Sequence, residues 1–352
     1  MRMRGVGEKW LCALVCAPLA LSLRGGPPHQ DPPPYPSAQA TPRTHVLIVS
    51  GIGGDSVRSD RFIRLALDAS AAFRTRFAVE DSLITLLAER PAVEPRIIRD
   101  RATRDAVRAA LERIAARAAP NERVLFIFIG HGSAQSGRPQ LALVGPDLSA
   151  ADLATMLDPI RAGTIGIVLA ASASGDFVKA LSKPGRVVVT ATKSGTEQNE
   201  SLFAEHFVAA LGSDAADADK DSRVSLLELY GYTRREVVRV YETSNRLLTE
   251  HAMLDDNGDG MGHAEPSPGG PDGQLASRVS ISRAGAVAAS NDPRAAPFLR
   301  KREELERQIE LLRAQRDKLS AAEYDTRLED LVVQLAQVNR EMRATLGAPR
   351  TP

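Results

Sequence analysis

The run over residues 124–133, VLFIFIGHGS, constrains this chain more than any other stretch. Its first six residues are apolar and rich in branched and aromatic side chains, which suits a strand covered on both faces rather than a half-wet one. The run stops at Gly130, His131 and Gly132. An imidazole is thereby set between two residues that tolerate unusual backbone angles, at the carboxyl end of a parallel strand, where open α/β sheets hold their sites. Residues 164–175, TIGIVLAASASG, form a second buried-type strand that ends in small residues. As parallel neighbours the two strands would bring Ser172 toward His131. A single His after a strand is more often structural than catalytic, and it is the pairing with Ser172 that makes His131 a candidate.

The remaining chain alternates strand and helix patterns. Residues 45–50, HVLIVS, read as a strand, followed by Gly51, Gly53 and Gly54. Without a following lysine or a full fingerprint, this G-x-G-G is a plain loop at the substrate face rather than a phosphate cradle. Helices are predicted over 61–74 and 79–90, with Phe62, Leu65, Ala69 and Phe73 at core-facing spacing, and a short strand over 96–98. Thr103 is a candidate N-cap for a helix carrying Val107, Leu111, Ile114 and Ala118 on one face and ending before Pro120. Residues 141–144 suit a small strand or hairpin arm, and Ser149 with Asp152 opens a helix over 153–157. A buried strand follows at 186–190, then a helix with Phe203, Phe207 and Leu211, a helix from 226 toward 240, and a terminal strand within 277–282. This order describes an α/β fold, a doubly wound, mostly parallel sheet with helices on both faces.

At the two strand ends the sequence resembles the caspase and legumain superfamily of cysteine peptidases, most closely a bacterial legumain-like branch. In that family one strand ends in His-Gly and the next in a small residue, Cys, one residue, Ser and Gly. Here Gly130, His131 and Gly132 fit the first motif, and Ala171, Ser172, Ala173, Ser174 and Gly175 fit the second, except that Ser172 stands where the family has its nucleophilic Cys. The resemblance spans roughly residues 45 to 282, a plausible single domain. It implies a caspase-like sheet, His131 and Ser172 as the catalytic pair, and the amides of Gly132 and residue 172 as donors to a developing oxyanion. Main-chain donors would survive the substitution. Nucleophilicity is a different matter, because a serine hydroxyl needs a base within about 2.6 to 3.2 Å to take its proton. Two functions follow. One is a non-catalytic pseudopeptidase that keeps the cleft for a peptide or protein ligand; the other is an active hydrolase using a His131–Ser172 dyad. The first is preferred, since no Asp or Glu adjacent to His131 in sequence offers itself as an orienter.

Both cysteines, Cys12 and Cys16, lie in the first 25 residues. Arg2, Arg4 and Lys9 precede an apolar run over 10–23, a charged then hydrophobic order that reads as a secretory signal over 1–24. The alternative is an uncleaved amino-terminal anchor, which alone would give the protein a membrane partner. Either way the reading is a secreted or periplasmic protein, and cleavage beyond Cys16 leaves it without a thiol. Residues 25–44 are Pro-rich and read as a linker, 45–285 as the peptidase-like domain and 294–345 as a helical tail. With 45 basic and 44 acidic residues and 4% aromatics, no field or motif for nucleic acid is present.

Residues 217–228, DADKDSRVSLLE, repeat the spacing of an EF-hand calcium loop. Asp217, Asp219 and Asp221 occupy positions one, three and five, Arg223 seven and Glu228 twelve, which suits an ion preferring roughly six to eight oxygens. Ser222 departs from the usual glycine, and an acidic turn capping the next helix is the competing reading. Calcium is the expected cofactor, with no organic one. A second acidic segment, 255–262, DDNGDGMG, has Pro266 where the twelfth-position carboxylate belongs, and reads as a solvated loop beside the active-site rim. In the tail, Leu305, Ile309, Leu312 and Leu319, then Tyr324, Leu328, Leu331, Leu335, Val338 and Met342, have coiled-coil spacing. Ser320 and Glu323 between them match a capping box. An antiparallel αα hairpin is expected, pairing with itself, with the domain, or with a coiled-coil partner such as a second copy.

Overall fold

Alternate residues of the central strand enter different cores. Leu125, Ile127 and Ile129 pack with Phe62, Phe73, Phe203 and Tyr230, whereas Val124, Phe126 and Phe128 pack with Val107, Leu111, Leu153 and Phe177. That is why the run has no polar alternation: both faces of the strand are dry. The structure is a computed structural model, which describes residues 42–134, 137–220, 223–282, 293–313, 316 and 319–347. The expected signal segment with Cys12 and Cys16, nearly all of the Pro-rich linker, and Asp221 lie outside the described residues.

The elements in chain order are β1 (Thr44–Ser50), α1 (Ser56–Thr75), β2 (Ile84–Ala88), β3 (Ile98–Arg101), α2 (Arg104–Ala115), β4 (Arg123–Gly130), β5 (Gly132–Ser133), β6 (Gln140–Leu141), β7 (Leu148–Ser149) and α3 (Ala150–Leu157). They continue with β8 (Thr164–Ala171), α4 (Val178–Leu181), β9 (Arg186–Thr190), α5 (Phe203–Gly212), β10 (Arg223–Ser225), α6 (Leu226–Thr243), β11 (Met253–Asp255), α7 (Gln274–Arg278), β12 (Ser280–Ser282), α8 (Ala296–Arg313) and α9 (Ala321–Gly347). The main sheet has seven strands in the order β11-β9-β8-β4-β1-β2-β3. All neighbours are parallel except β11, which runs antiparallel on β9. The chain winds outward from β1 through β2 to β3, then returns to the other side of β1 with β4. A crevice opens at such a reversal beyond the carboxyl ends of the strands.

Local signals held where the side chain itself closes the element. Thr103 caps α2 by accepting from the Ala106 amide, and Ser149 caps α3 through Asp152. Other expectations are corrected. The helix expected over 79–90 is a short 3-10 turn, Asp81–Leu83, followed by β2. Ile84 to Leu87 pair with Val46 to Val49, so the open edge of β1 claims a run whose periodicity alone suits either structure. The strand expected over 96–98 begins at Ile98 and extends to Arg101. The 277–282 segment starts as α7, and only β12 is extended, pairing with β10 rather than with the main sheet.

The 255–262 segment is solvated only from Asn257 onward, and it does not lie at the rim. Asp255 ends β11 opposite Val188, toward the amino end of β9, and Gly258 lies against Lys183 and Pro184. Asp255, Asp256 and Asp272 are buried. Their carboxylates accept from the Ser182 hydroxyl, from the Gly273 and Ala276 amides, and from the Asp256 amide respectively. These hydrogen bonds tie the loop to the segments before β9 and at the start of α7.

In the tail, Met342 packs with Ala295 and Phe298, while Leu335 packs with Leu305 and Ile309. The start of α8 thus meets the end of α9, an antiparallel hairpin. Ser320 accepts from the Glu323 amide at 3.3 Å as its cap. Among the described residues no helix is long and apolar enough to cross a membrane.

Candidate functional site

The β4–β8 ladder runs in unbroken register from Arg123 opposite Thr164 to Gly130 opposite Ala171. His131 and Ser172 therefore leave it at the same level. Parity adds direction: Ile129 and Ala170 both face the core that holds α1, and the next residues of the same parity are His131 and Ser172. The His131 ring lies edge-on to Phe62 of α1, with centroids 5.1 Å apart.

Ser172 is only 3% exposed. Its hydroxyl accepts from the Gly132 amide at 3.3 Å and donates to the Gly132 carbonyl at 3.3 Å. Among the described residues His131 makes no hydrogen bond to Ser172, and none to a carboxylate. The hydroxyl is thus engaged by the amide that the family resemblance assigns to an oxyanion. A serine hydroxyl needs a base within hydrogen-bond reach to act as a nucleophile, and the partner it has here is main chain. The turn beyond it is tight. Ala173 has a φ of 51°, and a Cβ on Gly132 would stand 2.3 Å from the Ser172 carbonyl oxygen. Ser174 fixes the turn to the end of β9, accepting from the Ala191 amide at 3.1 Å, and the Gly175 amide donates to the Thr192 hydroxyl at 3.0 Å.

Two rim residues were not legible beforehand. The carbonyl of Glu197 accepts from the Ala173 amide at 2.7 Å. Its carboxylate accepts from the His251 amide at 3.1 Å and meets His251 Nδ1 at 2.5 Å. No motif links residues 54 positions apart; an imidazole preceding the edge strand β11 was the only hint. Glu250, next to it, accepts from the Ser201 hydroxyl and the Leu202 amide at the start of α5, and burial pushes its carboxyl above the usual glutamate range.

The EF-hand-like loop lies elsewhere, ahead of α6. Asp217, Asp219 and Glu228 bring carboxylate oxygens within 4.8 Å of one another. Glu228 also closes a capping box with Ser225 and accepts from the Ala218 amide at 2.8 Å, so both of its carboxylate oxygens take hydrogen bonds. Arg223 opens β10, opposite Ser282. Lys220 takes the left-handed conformation, φ 60°, and its carbonyl accepts at 3.2 Å from Asn339, a fully buried residue of α9. The tail is thereby docked on this loop. No protein-family model matches the chain, and no curated protein matches it either.

Proposed function

We propose that this chain is a caspase- or legumain-like peptidase homologue acting outside the cytoplasm, which holds a peptide or protein ligand in the crevice beyond β4 and β8 without cleaving it. The observation that carries this reading is the pair of hydrogen bonds between the Ser172 hydroxyl and the Gly132 main chain, with His131 turned against Phe62 instead. The two strand-end motifs, in order and in register, support the kinship. The charged then apolar start of the sequence supports export.

An active hydrolase would require Ser172 to leave Gly132 and reach His131. A fluorophosphonate probe separates the two. The non-catalytic reading expects no labelling of the natural protein above that of Ser172→Ala, and labelling that vanishes in Ser172→Ala overturns it. Peptidase activity gained by Ser172→Cys, absent from the natural protein, would place the block at this one atom.

The same reading includes a calcium ion held by Asp217, Asp219 and Glu228, supported by their convergence and by the twelve-residue spacing. The tail's main seam is spent within its own hairpin. A coiled-coil partner or a second copy would therefore meet the exposed Leu311, Val332 and Val333.

A further inference from the structure

We propose that residues 193–197 form a strap that covers Ser172, with Glu197 as its latch; that opening admits a ligand rests on the binding reading above. Ser172 is buried although it follows the carboxyl end of β8, so something must cover it. The main chain at Gly195 is wedged between the loops that follow β4 and β8. A Cβ there would lie 2.2 Å from the Ala134 Cβ and 2.6 Å from Asp176 Oδ2. The peptide joining Lys193 to Ser194 packs on Gly175, where a Cβ would stand 2.2 Å from it. The strap then returns to Ala173, whose amide donates to the Glu197 carbonyl. It thus touches both motif loops and spans the turn that carries Ser172.

Its attachment is polar and concentrated. Lys193, Ser194, Gly195, Thr196 and Glu197 include no large apolar side chain to bury. The Glu197 carboxylate, 10% exposed, accepts from the Lys193 amide at 3.0 Å, drawing the strap's two ends together. It also accepts from the His251 amide and pairs with the His251 ring, tying the strap to the segment before β11. A segment held by few buried apolar contacts, one carboxylate and single main-chain hydrogen bonds such as that from Ala173 opens at much lower free energy than the domain unfolds.

The test is the reactivity of a single thiol. In the full chain with Cys12→Ser and Cys16→Ser, Ser172→Cys supplies the sole cysteine, and its reaction with Ellman's reagent reports access. Labelling should be slow when the strap is intact. Glu197→Ala should raise the rate about ten-fold or more, the scale set by losing hydrogen bonds to a charged acceptor. Glu197→Gln, which keeps an acceptor oxygen, should fall between. His251→Ala removes the outer partner alone and should also accelerate labelling, which keeps the test decisive if Glu197→Ala does not fold. The strap is overturned if Ser172→Cys reacts natively as fast as in urea, or if the folded Glu197 and His251 variants label at the parent rate. Because labelling needs no peptide, a chain that binds none would defeat the binding reading while leaving this result standing.

Discussion

The Ser172 hydroxyl and the Gly132 main chain meet twice, at 3.3 Å through the amide and at 3.3 Å through the carbonyl. Both bonds are long for a hydroxyl, so they hold the side chain's direction more than they hold the fold. The close approach of the two loops has a different cause, the missing Cβ at residue 132.

Gly132→Ala should therefore damage the protein far more than Ser172→Ala. The new methyl meets a main-chain oxygen that cannot swing aside, and overpacking of this kind costs about 1–3 kcal/mol. Ser172→Ala should cost no more than about 1 kcal/mol, the net worth of a modest hydrogen bond. Urea unfolding of both variants checks the order, and equal losses would mean that the hydroxyl, not the glycine, sets the approach.

Ala173 should tolerate glycine better than its own side chain. Its φ of 51° lies in the left-handed region, which costs a non-glycine residue about 1–2 kcal/mol, while glycine's extra unfolded freedom offsets about 0.5–1 kcal/mol. Ala173→Gly should raise the urea midpoint slightly, and Ala173→Val should lower it. A midpoint that falls for glycine would assign this turn's geometry to contacts of the alanine methyl.

Calcium at a hundred-fold excess over its Kd should stabilise the chain by about 2.7 kcal/mol. Asp217→Asn should abolish that gain, because this buried carboxylate is one of the three that converge. Melting curves with calcium and with chelator that superimpose would remove the cation from the 217–228 loop.

Glu250 should make stability fall with rising pH. Burial raises its folded pKa above the ordinary glutamate value, so the folded state keeps the proton to higher pH than the unfolded chain. Its favourable contribution is full below the unfolded value and is lost as pH rises through the folded one. Glu250→Gln should flatten this part of the Tm profile between acid and neutrality, and an unchanged slope would show that the profile arises at other groups.

The sequence by itself determined the elements whose instructions are local. Two uninterrupted apolar runs required strands dry on both faces, and β4 and β8 are those strands. Thr103, Ser149 and Ser320 mark helix starts because a short polar side chain reaches the amide three residues on. The tail's seam spacing likewise implied an antiparallel hairpin, without fixing whether it pairs with itself, with the domain or with a partner. Only the tertiary structure decided what depends on a distant neighbour. The open edge of β1 turned residues 84–88 into a strand, the antiparallel placement of β11 carried Asp255 and Asp256 into the interior, and Glu197 met His251 across 54 residues of chain. The hydroxyl of Ser172 belongs with these. Register and parity deliver it to the level of His131, but which acceptor it takes is settled by the free space around it, and that space is set by the glycine of another strand.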